Sequence, residues 1–212
     1  MKPSCVRLYI EGGAEGRTAD NDFRRGWKKF LMELHILARE KGFNSLEVVR
    51  GKSRANTFER FSKYNKEFPS DLCVMLVDSE TTVPEGRKVW DTVQLREGDH
   101  WVKPNWATER HLYLMVPFVE AWILTDHQAL SQFFGAGFDA AKLPKTNIDK
   151  LSKGRIEKEL EKATKNSSKG QYRHGQAHEV LEIVLPERVK TLYDGRRLFE
   201  ELSKLIQEKA QR

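Results

Sequence analysis

The sequence predicts an α/β fold: a parallel sheet of about four strands flanked by helices, with a helical C-terminal region. Three observations predict it. Short β-rich apolar runs alternate with segments of helical periodicity over the first two-thirds of the chain. The strongest run, Leu72 to Val77, is continuously apolar, as in a central strand covered on both faces. From residue 150 onward only helical patterns occur.

Taken in order, Val6 to Ile10 reads as a strand ended by Glu11-Gly12-Gly13. Asp22 is placed to cap a helix reaching about Lys41, with Phe23, Trp27, Phe30, Leu31, Leu34, Leu37 and Ala38 at helical spacing and Gly42 closing it. Leu46 to Val49 reads as a second strand, and residues 53–66 as a second helix with Phe58 and Phe61 inward. The run from Asp71 to Val77 is the third strand, ended by Asp78-Ser79-Glu80. Residues 81–110 are mixed and carry Trp90, Trp101 and Trp106. His111 to Val116 is a fourth strand, after which Pro117 opens a helix from Phe118 to Phe134, since proline suits a first helical turn. The order β-α-β-α-β-x-β-α implies parallel strands and right-handed crossovers. Gly135-Ala136-Gly137 and Pro144 punctuate the end of this pattern, so we expect an α/β domain over 1–141 and a basic helical region over 142–212 packed on it.

A chain of 212 residues is long enough for one substantial core. No apolar run approaches a membrane span, and no secretory signal is visible at the N-terminus. Cys5 and Cys73 lie in or beside apolar strands and form neither a disulfide framework nor a zinc cluster, so a cytoplasmic protein with buried thiols is expected. The net charge of +6 is uneven: residues 1–141 carry 20 basic and 20 acidic side chains, residues 142–212 carry 17 and 11. A neutral part with acidic motifs followed by a basic part suits a polyanionic substrate, although a charged helical surface has the same composition.

The acidic motifs stand at strand ends. Glu11 and Glu15 follow the first strand, Asp78 and Glu80 the third, and Glu120 the fourth. In an open parallel sheet this is the edge where ligands bind. Carboxylates gathered there repel one another unless a cation sits among them, and hard oxygen donors suit Mg²⁺ or Mn²⁺. Taken singly, each motif is more simply a turn; together, each after its own strand, they point to a metal site for phosphodiester chemistry.

The stretch Tyr9-Ile10-Glu11-Gly12-Gly13-Ala14-Glu15-Gly16 resembles the opening motif of Toprim domains of the OLD-nuclease type. Val77-Asp78-Ser79-Glu80 resembles the second Toprim motif, with Glu80 where the family has aspartate. Met115-Val116-Pro117-Phe118-Val119-Glu120-Ala121-Trp122 resembles a segment of the DUF4276 family, a Toprim-like group often encoded beside an AAA or ABC-type ATPase, and Lys169-Gly170-Gln171-Tyr172 resembles that family's C-terminal region. The resemblance implies a Toprim-like sheet and a Mg²⁺- or Mn²⁺-dependent nuclease. It implies Glu11 as metal ligand or general acid/base, Glu15, Asp78, Glu80 and Glu120 as further ligands, and Lys169 as the basic residue at the scissile phosphate. A phage-defence setting with an ATPase partner follows by analogy. The alternative it leaves is a non-catalytic Toprim-like subunit that binds or regulates such an ATPase. A topoisomerase- or primase-like enzyme ranks last, for want of room for a nucleophile-bearing module.

Contacts to DNA or RNA are expected from Lys165, Lys169 and Arg173, in a basic segment that also contains His174 and reads either as a flexible clasp or as a solvated linker. Arg24 and Arg25, with Lys28 and Lys29, form a basic stripe on the first helix, more simply a solvated face. The three tryptophans near Lys88, Lys103 and His100 more simply fix residues 81–110 to the core than stack bases. His35 and His178 fall on helical patterns and read as structural. No phosphate-binding loop of the Gly-x-x-x-x-Gly-Lys-Ser/Thr type is present, which excludes ATP hydrolysis by that route.

Overall fold

The computed structural model describes residues 5–12 and 17–211. Strand β1 (Val6–Glu11) leads to α1 (Arg17–Phe30) and α2 (Met32–Glu40), then β2 (Leu46–Lys52), α3 (Arg54–Glu67) and β3 (Leu72–Asp78). Helix α4 (Val89–Leu95) and β4 (Leu112–Met115) follow, then α5 (Val119–Ile123) and α6 (His127–Phe134). The remainder is helical: α7 (Lys153–Thr164), α8 (Ala177–Val180), α9 (Pro186–Val189) and α10 (Tyr193–Ala210). The four strands form one all-parallel sheet in the order β2-β1-β3-β4. This is the Toprim-like α/β arrangement expected from the sequence.

The period of two along each strand sorts the core into two layers. Val6, Leu8, Ile10, Val74, Leu76, Tyr113 and Met115 face α1, α2, α5 and the C-terminal helices. Tyr9, Cys73, Met75, Val77, Leu112 and Leu114 face the other way, toward Phe61 of α3, Trp90 of α4 and Trp101. The continuous apolar run of β3 is therefore buried on both sides. Ile156, Leu160, Leu198 and Leu202 belong to the same cluster as Val6 and Leu8, so α7 and α10 complete the first layer. The tryptophans of residues 81–110 anchor that segment: Trp101 stacks on Phe58 at 4.5 Å, and Trp90 Nε1 donates to Thr108 O at 3.0 Å.

Three local readings are corrected. The first helix begins by Arg17, and Asp22 lies inside it, paired with Arg25 at 3.0 Å instead of capping. It bends at Leu31, yet the N–H groups of Leu31 and His35 still reach Trp27 O and Leu31 O. The helix expected over 118–134 is two helices, because the Asp126 carboxylate accepts from Ala129 N–H at 3.0 Å and so starts α6 afresh. Pro117 stands before the first turn, in a cis peptide with Val116, and Phe118 is the flanking extended residue.

The crossover from β1 to β2 runs to one side of the sheet, and the crossover from β2 to β3 passes back over β1. The strand order therefore reverses between β1 and β3. A parallel sheet opens a crevice at such a point, beyond the C-terminal ends of the two strands. Those ends are Glu11 and Asp78.

Candidate metal centre

Glu11, Asp78 and Glu80 each bring one carboxylate oxygen within 4.8 Å of the others. Two are the last residues of adjacent strands. Glu80 follows because the exit of β3 stays paired with the exit of β4: Ser79 N–H donates to Met115 O at 2.9 Å, and Glu80 N–H to Pro117 O at 2.8 Å. Glu80 adopts a positive φ of 68°, a left-handed conformation that costs a non-glycine residue about 1–3 kcal/mol and concentrates at functional sites.

The cluster is crowded with negative charge. Glu11 Oε2 accepts from Asp78 N–H at 3.2 Å and from Arg54 Nη1 at 3.0 Å. Asp78 Oδ1 is buried without a hydrogen-bond partner among the described residues. Burial, reinforced by Glu11, Glu120 and Glu80, holds the Asp78 carboxyl well above the usual carboxylate range, with Lys153 opposing. Burial also raises Glu11, against the pull of Arg54.

Glu120 lies beside this group, coupled to Asp78 through charge, but outside the converging trio. It is buried. Oε1 accepts from the Tyr172 hydroxyl at 2.7 Å and lies 3.6 Å from His174 Nδ1; Oε2 has no partner among the described residues. Burial raises its pKa, opposed by Tyr172 and more weakly by His174 and Lys153. Glu15 lies outside the described residues.

Two cations at the centre were not singled out in the sequence. Arg54, the first residue of α3, donates to Glu11 and to Asp78 O, donates from Nε to both oxygens of Asp99 at 2.8 Å, and lies over the Trp101 ring at 4.7 Å. Arg96 holds Asp99 from behind at 2.9 Å. Residues 96–101 thus grip the guanidinium from one side while the carboxylates hold it from the other. Lys153, the first residue of α7, places Nζ 2.6 Å from Glu80 Oε2 and over the Phe118 ring. Both follow rules that could have found them: Arg54 starts a helix just after a strand's C-terminal end, and Lys153 follows the Ser152 cap.

The basic residues expected to contact nucleic acid fall elsewhere. Lys165, Lys169 and Arg173 are exposed; Lys169 lies 3.7 Å from Glu179 and over the Phe133 ring. Their segment is not a flexible linker. Ser168 N–H donates to Ala136 O at 2.7 Å, Ser168 Oγ to Phe134 O at 3.0 Å, and Tyr172 N–H to Thr164 Oγ1 at 2.7 Å. Arg24 pairs with Asp20, and Arg25 with Asp22 and Glu182. His178 is buried against Phe23 and Trp27, and burial pushes its pKa down to about 4, so it is neutral core.

A family model described as "Domain of unknown function (DUF4276)" matches residues 10–201. The chain belongs to the DUF4276 family. The match spans every strand end named above and the Lys153 and Tyr172 positions, so the whole centre lies inside the DUF4276 domain. No curated protein and no solved structure matched the chain. No helix among the described residues is long and apolar enough to cross a membrane.

Proposed function

We propose that this DUF4276 chain is a metal-dependent nuclease that cleaves DNA or RNA phosphodiesters, with Glu11, Asp78 and Glu80 holding Mg²⁺ or Mn²⁺ and Glu15 and Glu120 as further ligands. The observation that carries the reading is the trio of carboxylate oxygens within 4.8 Å at the strand-order reversal. The donor set fits a hard divalent cation: it is all oxygen, and the buried Asp78 Oδ1 and Glu120 Oε2 lack partners among the described residues. A bound cation of this kind supplies Lewis-acid polarisation of a phosphoryl oxygen and neutralises its charge.

The chain's own residues supply the rest. Glu11, with its raised pKa, suits proton transfer. The Lys153 ammonium and the Arg54 guanidinium are placed to offset charge developing on the phosphate. Lys153, already beside Glu80, takes the role that the family resemblance implies for Lys169. The exposed Lys165, Lys169 and Arg173 suit the strand leading away from the centre. An ATPase-associated, defence-type setting and a cytoplasmic location remain part of this proposal. Incubating the purified chain with plasmid DNA and with RNA, with Mg²⁺, Mn²⁺ or chelator, tests it: metal-dependent cleavage lost in Asp78→Ala supports the reading, and none on either substrate overturns it.

One observation favours a second reading. Arg54 and Lys153 already compensate Glu11 and Glu80, so the cluster is held together by the protein's own cations. A non-catalytic subunit that docks on or regulates an AAA or ABC-type ATPase would have such a site. Calorimetric titration separates the two, since this reading expects neither cation binding nor cleavage.

A further inference from the structure

The two edges of the sheet are treated differently. At β4, α10 packs alongside, and Arg197 Nη1 donates to Leu112 O at 2.9 Å. At β2 a groove of about 450 Å³ runs along the strand instead. One lip is formed by Arg24, Lys28, Leu31 and His35 of the bent first helix, the other by Arg60 of α3. The floor is β2 itself, from Leu46 to Arg50.

The ladder register fixes which backbone groups point into this groove. Val6 N–H donates to Ser45 O at 2.9 Å, and the β1–β2 pairing runs without irregularity from Val6 to Ile10. In a parallel ladder alternate residues of a strand bond the same neighbour. Glu47 and Val49 therefore bond β1, while Leu46, Val48 and Arg50 turn their peptide groups outward. The Arg50 carbonyl bears this out, since it accepts from Arg60 Nη1 at 2.8 Å. Among the described residues nothing bonds the outward N–H or C=O of Val48. Edge strands with such groups template the addition of another strand unless something blunts them.

The charge around the groove identifies what would add. Lys28 and Arg60 have no carboxylate partner among the described residues, and Arg24 shares its charge with Asp20. Among the described residues the one carboxylate lining the groove, Glu47, is paired with Arg7. Successive side chains of an added strand would point alternately toward the two lips, and both lips carry cations. We propose that the β2 edge is a docking site for an acidic, extended polypeptide segment of a partner protein, which adds to the sheet as a fifth strand. Outward peptide groups at strand spacing favour a polypeptide over a nucleic acid, which has no backbone ladder to offer. The proposal stands independently of the metal reading.

The probe is a fluorescent peptide of alternating Glu and Val, seven residues long to match β2, read by anisotropy against the full chain. Controls are the Lys/Val peptide and an oligo-dT strand. Val48→Pro removes an outward N–H, a change that edge strands tolerate, together with a valine side chain packed on the core, and Lys28→Glu reverses one lip charge without touching the ladder. We expect the acidic peptide to bind, the Lys/Val peptide not to, and each variant to weaken binding about tenfold, with circular dichroism unchanged. If Val48→Pro does not fold, Lys28→Glu together with an acidic peptide N-methylated at alternate residues reads charge and ladder separately. No binding, equal binding of both peptides, or binding of oligo-dT alone that Lys28→Glu abolishes would each overturn the proposal. So would self-association of the chain that competes with the peptide.

Discussion

The Tyr172 hydroxyl donates to Glu120 Oε1 at 2.7 Å, joining the C-terminal region to the start of α5 across 52 residues of sequence. Both groups are buried, and the bond is what keeps the Glu120 carboxyl from rising further. Tyr172→Phe should destabilise the protein by about 1.5–3 kcal/mol, the range for a hydrogen bond to a charged group. Urea unfolding at neutral pH checks it. A loss of only about 0.5–1.5 kcal/mol, the range for an uncharged hydrogen bond, would mean that Glu120 is protonated there.

The raised pKa values of Asp78, Glu11 and Glu120 set the pH dependence of the metal-free protein. Each group binds its proton more tightly folded than unfolded. Stability is then fully present below the ordinary carboxylate range and falls as pH rises through the folded values. Melting temperature should decline from mildly acidic to neutral pH. Asp78→Asn should flatten that slope and raise stability at neutral pH, and Mg²⁺ should restore it in the wild type only.

Arg54 competes with any cation for Glu11. Its replacement by Met should strengthen Mn²⁺ binding, measured calorimetrically, while removing one of the two cationic partners of buried Asp99. Arg96 still pairs with that carboxylate, so the loss should stay below the about 3–5 kcal/mol of a buried charge left wholly uncompensated. The double variant Arg54→Met, Asp99→Asn should recover much of this and keep the stronger metal binding. Unchanged Mn²⁺ affinity in both would place the metal away from Glu11.

Lys153 separates stability from chemistry. Its pair with Glu80 is partly exposed, so Lys153→Met should cost less than about 1 kcal/mol. Under the nuclease reading it should lower the cleavage rate by about 10²–10³. Lys169→Met, whose contacts are Phe133 and Glu179, should leave the rate within a few-fold. The reverse ranking would return the phosphate role to Lys169.

Much of the centre was legible because strand ends are legible. The unbroken apolar run of Leu72–Val77 marks a central strand, and whatever follows it must surface at the sheet's C-terminal edge, which locates Asp78 and Glu80. Glu11 follows from Val6–Ile10 by the same rule. That rule reaches Arg54 too, two residues past β2, but a rule that looks for carboxylates passes over a cation. Asp99, Lys153 and Tyr172 arrive from a loop, a helix start and an irregular turn, and no periodicity ties them to a strand end. Helix bounds failed where side chains overrode pattern: Asp126 carries no apolar signal, yet its carboxylate restarts the chain as α6.

Gly26 sits where α1 meets α8, and a Cβ there would fall 1.9 Å from the carbonyl oxygen of His178. The two backbones touch, and the contact seals Phe23 and Trp27 beneath a helix that comes more than 150 residues later. During synthesis, then, α1 emerges long before α8, the helix that covers its Phe23 and Trp27. Until residues 177–181 leave the ribosome, the apolar side chains that α8 covers stay open to water and to other chains. The order in which this molecule is made is at odds with the order in which its interior closes.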